Sequence, residues 1–215
     1  MQASEYKIFD WLYPAWEQLR LRESFPHALL LTGPEGIGKS DFALALARRL
    51  LCETPRKDDP CGECPSCHLF ATGNHPDFRR VIPEADAEDA DEGTDASDKK
   101  KGSHQIRIDQ IRALEDFVFV GGHRGGARVV IVEPADAMNI AAANALLKIL
   151  EEPPSSVYFL LTSSRWRRLL PTIRSRCRVM KLGRPSLESA RDWLRSAGTP
   201  EAMELLPLAG GAPLQ

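Results

Sequence analysis

The sequence has no long hydrophobic run, and no stretch approaches the roughly 18 consecutive apolar residues of a membrane-spanning helix. Residues 1–7 also lack the basic and apolar regions of a signal peptide. A membrane protein and a secreted protein are therefore not expected, and the chain is predicted to be cytoplasmic. Its 215 residues, 43% hydrophobic and 27% charged, are typical of a globular protein with one large domain or two smaller ones.

The chain also lacks a large net charge, but the formal charge of −2 conceals two uneven segments. Residues 84–101 carry eight acidic and three basic side chains. Because residues 84–103 contain no large apolar side chain, we predict a disordered acidic insertion at about 84–104. Residues 165–184 carry eight basic side chains and no acidic one, which fits either a solvated face or a phosphate or nucleic-acid contact.

Residues 33–40 read GPEGIGKS and match the pattern G-x-x-x-x-G-K-[ST]. An apolar run at 28–32 predicts a buried strand before this loop, and apolar residues at helical spacing predict a helix at 41–51 after it. Such a loop points backbone N–H groups at a phosphate, while its lysine reaches the outer phosphates and its serine binds magnesium. The predicted nucleotide-binding residues are Gly33, Gly36, Gly38, Lys39 and Ser40.

Further apolar runs predict strands at 78–83, 128–132, 157–161 and 179–182, and hence a parallel sheet in an α/β fold. Helices are predicted at 14–22, from Asp109 onward, and at 140–150, 187–197 and 201–209. Glu133 follows one strand and is predicted to hold the metal ion of the nucleotide. Thr162 and Ser163 lie at the end of another strand.

Four cysteines, Cys52, Cys61, Cys64 and Cys67, have the spacing C-x8-C-x2-C-x2-C. Two-residue gaps bring thiolates to one centre, so we predict a closed structural zinc site. Two disulfides are disfavoured in a cytoplasmic chain, an iron–sulfur cluster is a weaker alternative, and His68 is a substitute ligand. The fifth cysteine, Cys177, is predicted to be a buried apolar residue.

The order and spacing of these motifs resemble the delta-prime subunits of bacterial DNA polymerase III clamp loaders, a family of the AAA+ class. The resemblance covers nearly the whole chain. Besides the glycine loop and the cysteines, it rests on five segments: HPD at 75–77, IRIDQIR at 106–112, AANALLK at 142–148, LEEPP at 150–154 and SRC at 175–177.

The resemblance implies a P-loop AAA+ domain at residues 1–183, with a zinc module inserted at about 52–67, and a small helical lid domain at 184–215. It also implies a third, helical collar domain. Since the chain stops where that collar would begin, the resemblance leads us to expect a shortened form of a longer protein.

The resemblance further implies a hetero-oligomer with clamp-loader subunits of the delta and gamma/tau types, which opens the sliding clamp and places it on primed DNA. Arg176, within SRC, matches the arginine finger that reaches the ATP of a neighbouring subunit. The subunit is then expected to act as a rigid stator that donates this finger.

Two departures from the family pattern bear on the chemistry. The glycine loop is intact, so binding of ATP with magnesium is expected, and the resemblance makes Thr162 or Ser163 the candidate polar sensor of the nucleotide. Pro134, however, stands where the carboxylate that activates water is normally found, and no arginine is present near Leu214, where the sensing arginine of the lid would fall. The chain's own ATPase activity is therefore expected to be weak or absent.

Two other classes of function are weighed against this one. An ATP-hydrolysing motor subunit of the clamp loader would need an Asp-Glu pair at 133–134, which is absent. A zinc-dependent DNA-binding module would need basic or aromatic residues around the cysteines, yet acidic residues surround them: Glu53, Asp58, Asp59 and Glu63.

Overall fold

A five-stranded parallel sheet forms the centre of the protein. The computed structural model describes residues 8–20, 24–56, 59–88, 103–119 and 126–214. The strands are β1 (Ala28–Thr32), β2 (Phe78–Val81), β3 (Arg128–Val132), β4 (Val157–Ser163) and β5 (Arg178–Lys181). They lie in the order β2-β3-β4-β1-β5, and every neighbouring pair is parallel. This confirms the predicted α/β fold with a parallel sheet.

Helices connect the strands, as parallel pairing requires. They are α1 (Tyr13–Arg20), α2 (Lys39–Leu51), α3 (Pro65–Ala71), α4 (Glu84–Glu88), α5 (Ile108–Phe119), α6 (Ile140–Glu151), α7 (Pro171–Arg176) and α8 (Leu187–Ser196). Short 3-10 turns lie at Asp10–Leu12, Ala135–Ala137, Trp166–Arg168 and Pro200–Glu204.

The two faces of the sheet bury separate hydrophobic cores. Leu30 of β1 packs with apolar residues of α5, α6 and α7, whereas its neighbours Leu29 and Leu31 pack with α1 and α2. Alternate residues of a strand point to opposite faces, so a strand that is covered on both sides is apolar over most of its length. All five residues of β1 and of β3 are buried accordingly.

A third, small core lies beyond β5. Ala190 and Leu194 of α8 bury their side chains against Leu206. The predicted helix at 187–197 is thus confirmed, but the predicted helix at 201–209 is wrong. Its place is taken by the 3-10 turn Pro200–Glu204 and further turns, since Pro207 has no backbone N–H to continue a helix.

The predicted disordered insertion is wrong at its edges. Residues Glu84–Glu88 form α4, and the carboxylate of Glu84 forms an ion pair with Arg107. The Ala85 N–H donates a hydrogen bond to the Ser103 carbonyl, at 3.3 Å. Residues 89–102, the remainder of that prediction, lie outside the described residues, as does the predicted continuation of α1 to residue 22. Among the described helices, none is long and apolar enough to cross a membrane.

Candidate functional site

The glycine loop joins the end of β1 to the start of α2, as its motif predicts. Gly38 adopts a φ of 85°, a left-handed conformation that glycine accepts without strain. A Cβ atom at this position would lie 2.4 Å from the Phe9 ring. At the other end of the loop, a Cβ on Gly33 would lie 2.7 Å from the Leu182 carbonyl oxygen. The structure therefore requires glycine at both positions.

Two aromatic residues that the sequence did not single out brace this loop. Phe9 and Trp11 stack with their ring centroids 4.8 Å apart. The Trp11 Nε1–H donates a hydrogen bond to the Ile37 carbonyl, at 3.0 Å, while Phe9 packs against Gly38. Both rings also contact Trp193 of α8 edge-on. This aromatic group links the loop to α8.

Lys39 and Ser40 begin α2 beside the end of β3. Lys39 is buried, and its ammonium group donates a hydrogen bond to the Pro34 carbonyl. Burial lowers the pKa of Lys39, although Glu35, Asp136 and Glu133 oppose this shift. The Ser40 hydroxyl donates to Glu133 Oε1, and Arg80 Nη2 lies 3.2 Å from Glu133 Oε2. The predicted metal-holding carboxylate is thus next to the predicted metal-binding hydroxyl.

A cleft of about 360 Å³ lies over these groups. Its lining residues are Glu35, Gly36, Gly38, Lys39, Ser40, Asp41, Asp86, Glu133, Pro134, Thr162, Ser164 and Leu214. Six of them belong to the glycine loop and the start of α2, and four lie at the carboxyl ends of β3 and β4. The carboxyl ends of parallel strands are where α/β sheets bind ligands. Asp86 of α4 is a further acidic residue at the cleft, which the sequence placed only in the acidic insertion.

The two candidate sensor residues at the end of β4 differ in their surroundings. Thr162 lines the cleft, whereas the Ser163 hydroxyl donates a hydrogen bond to Asp136 Oδ1, at 2.5 Å. Arg165 Nε donates to the other oxygen of Asp136, at 3.0 Å. Burial would raise the pKa of Asp136, but the bonds from Ser163 and Arg165 outweigh it and hold this pKa below its ordinary value. Asp136 is therefore held in its charged form and connects the end of β3 to the end of β4 through these hydrogen bonds.

The end of the described chain closes one side of the cleft. The Leu214 N–H donates a hydrogen bond to the Gly36 carbonyl, at 3.1 Å, and the Leu214 side chain lies close to Gly38. Pro134 also faces the cleft and has no group for proton transfer. The side chains of Leu214 and Pro134 thus bring no charge to the cleft.

Arg176 is the last residue of α7 and is absent from the lining of the cleft. Its Nη2 lies 2.8 Å from Glu151 Oε1 at the end of α6, and its Nη1 donates to the Thr172 carbonyl, at 3.2 Å. The structure therefore does not bring Arg176 together with Lys39, Ser40 and Glu133.

The four cysteines form one cluster between α2 and α3. Their sulfur atoms all lie within 4.8 Å of one another, and the Cys52–Cys64 and Cys61–Cys67 pairs are each 4.0 Å apart. A tetrahedral site with metal–sulfur bonds of about 2.3 Å has sulfur atoms about 3.8 Å apart, so the cluster could bind a metal with little movement. His68 is exposed and is not part of the cluster.

Backbone N–H groups point at these sulfur atoms. Those of Glu63 and Cys64 donate to Cys61 Sγ at 3.4 and 3.3 Å, and that of Cys67 donates to Cys64 Sγ at 3.4 Å. A hydrogen bond with Thr54, followed by these backbone bonds, lowers the pKa of the Cys61 thiol to about 6. The local backbone thus favours the thiolate of Cys61, the form that metals bind, whereas burial raises the pKa of Cys52 and raises that of Cys67 to about 12.

His75 of the HPD segment anchors this module to the sheet. Its Nε2 lies 2.6 Å from the hydroxyl of Ser66, which also bonds the Leu51 carbonyl at 2.5 Å. Its Nδ1 accepts from the Asp77 N–H, at 3.1 Å. All three bonds are satisfied when the proton is on Nε2 and Ser66 donates to Leu51. His75 therefore links α2, α3 and β2, a role that the sequence alone did not indicate.

Two curated relatives of this chain carry the same name. DNA polymerase III subunit delta' of Pseudomonas aeruginosa is 42% identical over 211 residues, which are 96% of this chain and 60% of the relative. The protein of the same name from Escherichia coli K12 is 36% identical over 211 residues, 95% of this chain and 58% of the relative. The chain thus spans about 60% of the length of the curated relatives that it matches.

A solved structure supports the fold. The DNA polymerase III, gamma subunit-related protein of Thermotoga maritima superposes with a TM-score of 0.51 at 21% identity, covering 91% of this chain and 58% of that one. The α/β fold with a parallel sheet that the sequence predicts is confirmed. Because the family described as DNA polymerase III, delta subunit, matches residues 12–186, which are most of the chain, the chain belongs to that family.

Proposed function

We propose that this chain is the nucleotide-domain part of a clamp-loader subunit, which helps to open a sliding clamp and load it onto primed DNA in the cytoplasm. The partners are loader subunits of the delta and gamma/tau types and the clamp itself. Residues 1–183 form its AAA+ domain and 184–215 its lid. One observation supports the proposal most directly: the chain is a member of this family, and its Arg176 does not line its own nucleotide cleft.

Arg176 acts as an arginine finger on the nucleotide of a neighbouring subunit. Its side chain is 35% exposed, so part of the guanidinium faces outward from α7. A guanidinium in this setting stabilises the charge that develops on phosphoryl oxygens in the transition state. The finger is useful only across a subunit boundary, because its own cleft is lined by other residues.

The cleft binds ATP with magnesium but hydrolyses it poorly. Gly33, Gly36 and Gly38 shape the loop for the phosphates, Lys39 offers its charge to them, and Ser40 with Glu133 would hold the metal ion. Thr162 fits the role of polar sensor, whereas Ser163 is already bonded to Asp136. Pro134 supplies no base to activate water, which supports a subunit that is a stator and not a motor.

The metal of the cysteine cluster is zinc with a structural role. Four thiols fill a tetrahedral site and leave no position for a substrate, so Cys52, Cys61, Cys64 and Cys67 would serve to hold the loop between α2 and α3.

The proposal is tested by reconstitution. Loader subunits assembled with and without the full-length protein are compared for loading of labelled clamp onto primed DNA in the presence of ATP. Clamp loading should require the full-length protein, and this protein should co-elute with the other subunits on gel filtration. Equal loading without it would overturn the proposal.

A further inference from the structure

We propose that Glu151 is a positioning residue for Arg176, holding its guanidinium in the orientation that a neighbouring subunit's nucleotide requires. This inference rests on the proposed finger role of Arg176. It concerns a second residue, on a different helix, which contacts the finger and not the phosphate.

Two contacts fix the guanidinium of Arg176. Nη2 donates to Glu151 Oε1 at 2.8 Å, and Nη1 donates to the Thr172 carbonyl at 3.2 Å. Because the two acceptors lie on α6 and α7, they fix the plane of the group as well as its position. A guanidinium has five N–H donors, so these two bonds leave others for a phosphate. A side chain that is already oriented loses less conformational entropy when it binds.

The location of Glu151 is itself unfavourable for helix α6. Glu151 is the last residue of the helix, where the helix dipole disfavours a negative charge. Arg176, at the same end of α7, compensates for this charge across the helix–helix contact. Functional positions often hold a residue that its local structure disfavours, here a negative charge at the end of a helix, and that one specific partner compensates.

Stability alone does not account for the pair. The side chains of Arg176 and Glu151 are 35% and 46% exposed, and ion pairs at such exposure contribute little to folding. We therefore expect Glu151→Ala to leave the fold and the thermal midpoint nearly unchanged. Its effect should be on the rate at which the assembled loader hydrolyses ATP, since a loosely held finger is less often in the reactive geometry.

The experiment is a double-mutant cycle in reconstituted loaders that contain the full-length protein as wild type, Glu151→Ala, Arg176→Ala or the double variant. Steady-state ATP hydrolysis is measured with clamp and primed DNA over a range of ATP concentrations. We expect Glu151→Ala to lower kcat about threefold, less than Arg176→Ala does, with KM for ATP unchanged. In the Arg176→Ala background, Glu151→Ala should have no further effect.

The neighbouring residue provides a matched control. Glu152 follows Glu151 directly, is exposed, and makes no ion pair in the part of the chain that the structure describes. Glu152→Ala should therefore behave as wild type. If it slowed the loader as much as Glu151→Ala did, the general negative charge at the end of α6 would be responsible, and the positioning role would be wrong.

The remaining outcomes separate the two proposals. If Arg176→Ala slows the loader but Glu151→Ala does not, the finger stands and the positioning role of Glu151 is overturned. If the double variant is slower than Arg176→Ala alone, Glu151 acts independently of Arg176 and the inference is likewise wrong. If Arg176→Ala has no effect, both the finger and the inference that rests on it fail.

Discussion

The Ser40 hydroxyl donates a hydrogen bond to Glu133 Oε1 and so ties the first turn of α2 to the end of β3. The two residues are 93 positions apart, and each belongs to a different motif of the sequence. In the proposed complex with nucleotide, both groups would turn to the same magnesium ion. In the proposed function, Ser40 and Glu133 serve nucleotide binding, whereas Pro134, the next residue after Glu133, supplies no base for hydrolysis.

Lys39→Ala should abolish the binding of ATP by the chain, because it removes the ammonium group at the cleft, the charge nearest the outer phosphates. Binding is measured by titration with a fluorescent ATP analogue in the presence of magnesium. Lys148→Ala removes an exposed lysine from α6 and should bind as wild type does. Unchanged affinity in Lys39→Ala would show that the loop does not hold the phosphates.

The purified protein should contain about one zinc ion per chain, as a single four-thiolate site implies. Elemental analysis should find that Cys64→Ser loses most of this zinc, while Cys177→Ser, which changes a cysteine outside the cluster, retains it. A chelator should make residues 52–67 sensitive to proteolysis and leave the sheet folded, because the sheet has its own cores. Zinc-free protein with all thiols reduced would argue against the site.

Asp136→Asn should destabilise the protein at neutral pH by about 1–3 kcal/mol, the contribution of hydrogen bonds to a charged group. The folded-state pKa of Asp136 lies below its ordinary value of 3.8, so the stabilisation is present above that value and is lost as the pH falls through the folded-state pKa. The difference between the free energies of unfolding of wild type and variant, measured with urea, should therefore decrease from pH 5 toward pH 3.

A control for this prediction is Asp192→Asn, which removes an ion pair with Arg195 whose two side chains are 62% and 64% exposed. It should cost no more than about 0.5 kcal/mol. If the difference in free energy of unfolding between wild type and Asp136→Asn stayed constant down to pH 3, the charge of the carboxylate would contribute nothing to stability.

The buried strands and the glycine loop could be predicted from the sequence, because both leave local signals. A strand covered on both faces is a nearly continuous apolar run, as in Ala28–Thr32 and Arg128–Val132, which each contain one polar or charged residue at an end. The loop is defined by glycines whose conformations other residues rarely adopt. These two strands have the predicted bounds, whereas the ends of β2, β4 and β5 differ from the prediction by one or two residues, which is the usual uncertainty at a boundary.

Short helices were missed because their residues also suit turns. Pro65 and Pro171 each begin a helix at the position where proline is tolerated, yet in sequence they suggest turns. The N-cap of α3 is Cys64, whose sulfur accepts a hydrogen bond from the Cys67 N–H. The spacing of the cysteines indicates a metal site and gives no sign of this capping role. Such helices depend on tertiary contacts more than on local propensity.

Specific contacts between distant segments could not be predicted from the sequence. The Asp136–Ser163–Arg165 group joins residues 27 to 29 positions apart, and Arg80 reaches Glu133 across 53 positions. The packing of Phe9 on Gly38 is equally nonlocal. Polar residues at the carboxyl ends of neighbouring parallel strands are the one general indication that such groups meet.

The central claim is that this subunit donates an arginine to a neighbouring site and does not drive the loader by its own hydrolysis. The most direct measurement is steady-state ATP hydrolysis, with clamp and primed DNA, by loaders that contain full-length wild-type, Lys39→Ala or Arg176→Ala protein. We predict that Arg176→Ala slows hydrolysis, by less than the roughly 10³-fold or more known for single fingers because the ring has several sites, and that Lys39→Ala stays near wild type. A loader slowed by Lys39→Ala but not by Arg176→Ala would contradict the account.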